Sequence, residues 1–423
     1  MTTTSTPGPS RREDANEPVK SREDVQQHPP ATGPGHGTGQ PVRYFRNPDV
    51  LLEWQDGAGP VLIDCRRWRK FAAGPRLLDL LNVLDRPLTA PEAHTKWNGT
   101  DGHAAEGESG GGHDDRREGG EGHDDNGDGR GDAGGAAVAA TRRMLERLAD
   151  VGLLRTSSRA APPPLGLTPY DLAAHARAGQ GTADGTGRGP APSARLRHPG
   201  SGDSVVLAAE DRLPSGSLRD VLDRRRSLRG YAPSPLPLGL LGALLGRSAR
   251  VRGRLGPAEY EQTQRPSPSG GGRHSIELYV LARDVEGLVR GAYHYDPFEH
   301  ALHRLAPWDE EVAEVLRQAV TLPAYLDEPP PVGIYLASHA ARTGWKYEGL
   351  ALSLVYRDAG CLLQTLCLTA TDLGLAACPT GTMRPTGPVK FLAPHQELLL
   401  HVGNLALGLP RPDAAPTPPQ PLV

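Results

Sequence analysis

Arg224-Arg225-Arg226-Ser227-Leu228-Arg229-Gly230-Tyr231 closes a helix that the sequence starts near Ser217. Four guanidiniums within six residues make a strong local positive field, and guanidinium forks match phosphate oxygens two at a time. A solvated basic helix end, favoured by the helix dipole, has the same pattern. The stretch alone leaves both readings open, and its neighbours must decide.

Downstream, Arg265-Pro266-Ser267-Pro268-Ser269-Gly270-Gly271-Gly272-Arg273-His274-Ser275 leads into a strand at Ile276–Leu281. Glycines let a backbone approach a flat or anionic ligand, although a flexible loop before a strand would look alike. Residues 291–297 and 300–302 read as a hairpin with an Asp-Pro turn. Then comes the apolar strand 332–336, followed by Trp345-Lys346-Tyr347-Glu348. These four residues are expected to open a long helix over about 348–372, apolar on most faces and stopped by Gly374. The chain holds five lysines against forty-two arginines. A lysine can lose its proton when desolvated and an arginine cannot, which makes Lys346 and Tyr347 a candidate acid/base pair. The alternative is a helix-start lysine packed on Trp345. Last, Gly374-Leu375-Ala376-Ala377-Cys378-Pro379-Thr380-Gly381-Thr382-Met383 is a strand and loop. Thr380 and Gly381 could aim backbone N–H groups at a ring, and Cys378 reads as a packed small residue with no base beside it.

Upstream of the basic stretch, order is intermittent. Residues 1–40 are polar, Pro- and Gly-rich, and are expected to be a disordered tail. A small module spans 41–155: strands at 42–45 and 61–65, a helix whose Leu77, Leu80, Leu81 and Leu84 share one face, a second helix after Thr89, and a third ending at Gly152. Between the last two lies residues 101–135, with thirteen glycines, eleven acidic residues and no Leu, Ile, Val or aromatic residue. Such a segment cannot bury enough surface to offset chain entropy, so it reads as a disordered insert. Its His103, His113 and His123 do not make a metal site, because even spacing has no geometric meaning in a disordered chain. Residues 156–216 read as a linker with docked short helices, 217–410 as the main domain, and 411–423 as a Pro-rich tail.

Composition restricts the partners. Net charge is −3, so no global field favours nucleic acid or an anionic membrane, and the module's third helix carries Glu146 and Asp150 beside its arginines. No apolar run reaches membrane-spanning length and no signal-peptide core precedes the folded part. Cys65, Cys361, Cys367 and Cys378 lack CxxC spacing and read as free thiols of a reducing cytoplasm.

Arg-Arg-Ser-Leu-Arg, Pro-Ser-Gly-Gly-Gly, Trp-Lys-Tyr before a long helix, and Ala-Cys-Pro-Thr-Gly occur here in one order. That combination resembles the SagB-type dehydrogenases, the thiazole/oxazole-forming branch of the nitroreductase-like flavoproteins, over about residues 217–410. The resemblance implies an α+β, nitroreductase-like FMN-binding domain, an antiparallel-rich sheet wrapped by helices, preceded by a winged-helix-like module similar to those that hold a precursor peptide's leader. It implies FMN phosphate and ribityl contacts from Arg225, Ser227 and Arg229. It implies that Pro268, Ser269 and Gly270 lie against the flavin of a neighbouring protomer in a homodimer, and that Thr380 and Gly381 offer donors near the flavin edge. Lys346 and Tyr347 match the pair that marks azoline-oxidising members. The implied activity is oxidation of thiazolines or oxazolines in a ribosomally made precursor peptide, beside a cyclodehydratase, with oxygen as final acceptor. Two places depart from the pattern. Gly360-Cys361 and Gln364-Thr365 stand where many relatives have Gly-His and Gln-Asn, and Arg273-His274-Ser275 stands where many have Leu-Tyr-Pro. Two other functions are open to this sequence: NAD(P)H-dependent nitro or quinone reduction, which rapid bleaching of the flavin by NADPH would reveal, and a non-catalytic scaffold that delivers peptide, which would stay colourless with added FMN.

Overall fold

The computed structural model describes residues 40–55, 57, 59–99, 130–159, 166–183, 189–199, 202–208, 215–256, 260–384 and 387–412. The expected N-terminal tail up to residue 39, His103, His113, His123 and most of the Gly-rich insert, and the last eleven residues lie outside them.

The N-terminal module runs β1 (Arg43–Arg46), β2 (Val50–Gln55), β3 (Gly59–Asp64), β4 (Arg69–Ala72), α1 (Pro75–Val83), β5 (Leu88–Thr89), α2 (Ala90–Gly99), α3 (Arg130–Asp150) and β6 (Leu154–Thr156). Two antiparallel sheets result, ordered β5-β1-β6 and β2-β3-β4. Leu80, Leu81 and Leu84 of the predicted apolar stripe are buried, as burial of one helical face requires. Thr89 and Glu92 cap α2 reciprocally, the Thr89 N–H donating to Glu92 at 2.7 Å. The sequence predicts two strands before α1 and the structure has four. β2 and β4 were missed because their side chains are mostly exposed or half-buried, so no buried face imposes an apolar alternation. α3 also starts six residues inside the expected insert: once a helix is nucleated, each added residue gains a hydrogen bond, even a poor helix former.

The linker carries a docked short helix, as expected, and one strand that the sequence did not predict. α4 (Pro169–Ala178) has a capping box between Thr168 and Asp171, and β7 (Ser204–Val206) joins the main sheet as an edge strand.

The C-terminal domain contains α5 (Leu218–Arg224), β8 (Leu236–Pro237), α6 (Leu238–Ala249), β9 (Gly253–Arg254), β10 (Thr263–Gln264), β11 (Ile276–Ala282), β12 (Val285–Glu286), β13 (Gly291–Asp296), β14 (Ala301–Pro307), α7 (Glu310–Leu316), β15 (Val332–His339), α8 (Ala340–Lys346), α9 (Ala351–Asp372), β16 (Ala376–Thr380) and β17 (Leu399–Gly408). Its sheet has seven strands in the order β16-β17-β15-β11-β13-β14-β7, every neighbour antiparallel. The expected α+β architecture, a helix-wrapped antiparallel sheet, is the one observed. Alternation along β11 sends Leu278, Val280 and Ala282 to a core with α6 and α9, and Tyr279 and Leu281 to a second core with α7. Predicted strands 276–281 and 332–336 and the 291–302 hairpin fall on β11, β15 and β13–β14.

The long helix is corrected in two ways. It begins at Ala351, and Lys346 closes α8 instead of opening α9. Gly349, at φ 69°, takes the chain between the two helices in a conformation that suits glycine. α9 is also two-faced: Val355, Ala359, Leu362 and Leu366 are buried against the sheet, while Leu352, Tyr356, Gly360, Cys361 and Gln364 are exposed. Among the described residues no helix is long and apolar enough to cross a membrane.

Candidate active site

The basic stretch leaves α5 in extended form. Ser217 caps the start of α5 by accepting from the Asp220 N–H, and Asp372 at the end of α9 holds the preceding turn by accepting from Ser215 and the Gly216 N–H, both at 2.8 Å, and from Arg247. Beyond α5, the Leu228 N–H donates to the Ala377 carbonyl on β16 at 3.0 Å. Arg225 is half-buried and Ser227 and Arg229 are exposed. Arg229 Nε donates to the Ala324 carbonyl at 2.9 Å. Its terminal nitrogens, the Arg225 guanidinium and the Ser227 hydroxyl make no hydrogen bond among the described residues. Burial pushes the Cys367 thiol up to about 11, with Arg225 opposing the shift, and raises Cys378, opposed by Arg229. Arg225 therefore lies beside α9 and Arg229 beside β16.

Thr380 and Gly381 lie at the end of the same strand. Thr380 is buried, its hydroxyl donating to the Ala319 carbonyl and accepting from Asn404 at 3.4 Å, while Gly381 is exposed with open space where a Cβ would stand. Cys378 is buried, as expected of a packing residue.

The glycine-rich loop is tied to the other end of α9. Asp358 accepts from the Ser269 hydroxyl at 2.5 Å and from the Gly270 N–H at 3.1 Å, and Leu354 packs against Gly270. Burial holds the Asp358 carboxyl above its ordinary range, with those two hydrogen bonds opposing. Ser269 also accepts from the His274 N–H at 2.9 Å, and His274 takes φ 41° where the loop turns into β11. Pro268 is exposed.

Lys346 and Tyr347 reach this loop. A Cβ on Gly271 would stand 2.8 Å from Tyr347 Oη and 3.4 Å from Lys346 Nζ, so a side chain there would push the pair aside, and the φ of 63° itself favours glycine. Lys346 Nζ donates to Tyr260 Oη at 2.5 Å. That bond, with the two nearby phenol rings, holds the Lys346 ammonium above the usual lysine range against a smaller opposing effect of burial. The sequence expectation of a lysine losing its proton by desolvation finds no support in this geometry: Lys346 is half-buried, not enclosed, and its Tyr260 partner favours the charged form.

The four motifs form two groups within one chain. The basic stretch and Thr380–Gly381 flank the edge strand β16, and the glycine-rich loop and the Lys–Tyr pair sit together at the start of α9. Their anchors on that helix, Asp358 and Cys367, are nine residues, and so about 13 Å, apart along its axis.

Behind the loop lies a buried polar frame that sequence reasoning missed. Glu277 on β11 accepts from Arg342 at 2.5 Å and pairs with His294 at 2.8 Å. Arg342 also donates to the Ser193 carbonyl, and Arg273 donates to the carbonyls of Arg342, Glu261 and Pro192. The Arg273-His274-Ser275 departure therefore clamps the linker strap at 192–193 onto the domain. The signal available in sequence was Glu277 alone in an apolar strand, since a buried carboxylate demands a cation. Beside Tyr347, Glu348 and Gly349 border a cleft of about 310 Å³ whose other walls include Glu53, Trp68 and Lys70 of the N-terminal module and Arg177 of α4.

The sequence profile described as "Nitroreductase family" matches residues 222–392. "Putative nitroreductase MJ1384" of Methanocaldococcus jannaschii is 32% identical over 180 residues, which is 43% of this chain and 85% of that protein. "Trifolitoxin-processing protein TfxB" of Rhizobium leguminosarum bv. trifolii is 27% identical over 34% of this chain and 41% of its own length. A crystal structure described as a "putative nitroreductase" from Ralstonia eutropha JMP134 is similar with a TM-score of 0.39 and 22% identity, over 53% of this chain and 96% of that one. The fold, the order of the motifs and the extent of the match to the archaeal relative lead to one conclusion: this chain belongs to the nitroreductase family.

Proposed function

We propose that this chain is an FMN-dependent dehydrogenase that oxidises azoline rings in a modified peptide. The observation that carries the proposal is the packing of Lys346 and Tyr347 on Gly271, which joins the pair associated with azoline oxidation to the glycine-rich loop associated with flavin. The donor set fits FMN: Arg225, Ser227 and Arg229 offer two guanidiniums and a hydroxyl with unspent donors within five residues, the chemistry a phosphate demands. FMN, when bound, supplies the hydride acceptor. Thr380 and Gly381 would border the ring edge, and Pro268, Ser269 and Gly270 would meet the flavin of a second protomer. A homodimer through the exposed α9 face that bears Leu352, Tyr356 and Cys361 would unite the two motif groups that one chain keeps apart.

Making an azole from an azoline removes a proton from one ring carbon and a hydride from its neighbour. In this proposal the Lys346 ammonium donates a hydrogen bond to the ring nitrogen and so acidifies the adjacent C–H, and the Tyr347 oxygen accepts that proton as its own O–H proton passes to solvent water. The cleft walled by Trp68, Lys70, Arg177 and Glu348 would hold peptide flanking the ring, delivered in the cytoplasm by a cyclodehydratase, with oxygen reoxidising the flavin. The name of the trifolitoxin-processing relative favours peptide modification over simple nitro or quinone reduction. Anaerobic mixing of the FMN-loaded protein with an azoline peptide tests this: bleaching of the flavin with formation of azole is expected, and bleaching by NADPH but not by the peptide would replace the proposal with ordinary reductase activity.

A further inference from the structure

Tyr260 lies 86 residues before Lys346, on the segment that returns to β10, and belongs to none of the four motifs. Its oxygen accepts from Lys346 Nζ at 2.5 Å and from Gln262 Nε2 at 2.9 Å. Gln262 Nε2 also donates to the Gly271 carbonyl at 2.9 Å. One amide nitrogen carries two hydrogens, so it serves both acceptors. The contacts close a ring: Gly271 lies under Lys346, Lys346 donates to Tyr260, and Gln262 ties Tyr260 back to Gly271.

The phenol ring is held as firmly as its oxygen. The Arg273 guanidinium lies 5.0 Å from its centroid and the Trp345 ring 5.5 Å away. Arg273 is fully buried and spends its donors on three carbonyls, and the Trp345 indole donates to the Gly189 carbonyl at 2.9 Å. A lysine on a flexible four-carbon stem loses precision unless something fixes its head. Both lone pairs of the Tyr260 oxygen are taken, one of them by a Lys346 N–H.

We propose that Tyr260, braced by Gln262 and Arg273, is the positioning residue that fixes the Lys346 ammonium for the reaction. The inference rests on the azoline-oxidising reading of Lys346. Tyr260 touches no reacting atom and acts only through the lysine. It also gives Arg273 a task at the site, where the sequence departs from the pattern it resembles.

The test is a double-mutant cycle of Tyr260→Phe and Lys346→Ala in the full-length FMN-loaded protein, read by single-turnover flavin reduction with an azoline peptide. Tyr260→Phe keeps the ring that packs on Arg273 and Trp345, and flavin content checks that the fold survives. The expected result is a rate about 10- to 150-fold lower, the loss of one hydrogen bond to a charged group, with little change in half-saturating peptide. The alkaline limb of its pH profile should move to lower pH, because the partner that favours the ammonium is gone. In the Lys346→Ala background Tyr260→Phe should add nothing further. If Lys346→Ala itself has the wild-type rate, the reading of Lys346 fails. If Lys346→Ala is slow while Tyr260→Phe is wild type, or if the two losses simply add, the positioning role is overturned and the reading of Lys346 stands.

Discussion

Two pairs of arginines in the C-terminal domain have opposite circumstances. Arg273 and Arg342 are 0% and 1% exposed, and their donors are spent on backbone carbonyls and on Glu277. Arg225 and Arg229 lie half-buried and exposed, and among the described residues a single nitrogen of their two guanidiniums is hydrogen-bonded, to a carbonyl. A guanidinium never loses its charge, so a buried one must be saturated or the fold would be unstable. One at the surface can keep its donors for an anion. The first pair is therefore frame and the second is the candidate ligand set, although all four are the same residue type.

Replacing Arg225 and Arg229 together by Gln should sharpen that contrast most. FMN affinity should fall by about 10²–10⁴-fold, two charged hydrogen bonds being lost, while the melting temperature of the flavin-free protein stays near wild type. Equilibrium dialysis and calorimetry would show both, and a large fall in apo stability would merge the two classes. Arg342→Met should do the reverse. It strands Glu277 without its cation and should cost about 3–5 kcal/mol of folding stability, measured by denaturant titration.

The frame should also be acid-sensitive, through His274 beside it and through His198, whose ring lies 4.9 Å from that of His294. Burial lowers His198 to about 4 and His274 to about 3, from an ordinary 6.5. Both stay neutral in the fold while the unfolded chain takes up protons, so stability should be full above pH 6.5 and decline as pH falls toward 3 to 4. Against the opposing effect of burial, Arg342 holds Glu277 well below the usual carboxylate range, a contribution that is full above the ordinary 4.5 and is lost progressively as pH falls below it. A midpoint that rises on acidification from pH 7 to 5 would contradict this. The smallest effect is expected from deleting residues 101–129, which should leave melting temperature and turnover nearly unchanged. A large loss of either would give that segment a role.

The same contrast explains what could be read in advance. β11, β13, β15 and α5 were legible because each joins a strong apolar period to a cap or turn residue. The motif stretches stand out as runs of arginines and glycines, but each run also suits a solvated helix end or a loop, and the roles assigned to them come from the resemblance and not from the runs themselves. β17, paired on both sides in the sheet, was not predicted, since Leu398-Leu399-Leu400 followed by His401 and Gly403 has no clean period of two. β7 was missed because three residues between polar segments carry no signal of their own. The partners of Glu277 and Lys346 were illegible for a simpler reason. Arg342 is 65 residues from Glu277 and Tyr260 is 86 from Lys346, and only the folded sheet brings them together. The sequence could say that a buried carboxylate needs a cation but not which one.

The most direct test of the central claim is flavin reduction by an azoline peptide in Lys346→Ala, Lys346→Arg and Tyr347→Phe, compared with wild type under single-turnover conditions. Lys346→Ala and Tyr347→Phe should be about 10²–10⁴-fold slower, the usual range for losing a positioned proton-transfer group, with flavin content unchanged. Lys346→Arg should recover a substantial part of the rate, because Tyr260 holds the lysine as a cation and charge is what it contributes. Wild-type rates in Lys346→Ala and Tyr347→Phe, with the flavin site intact, would contradict the assignment and remove the main support for an azoline substrate.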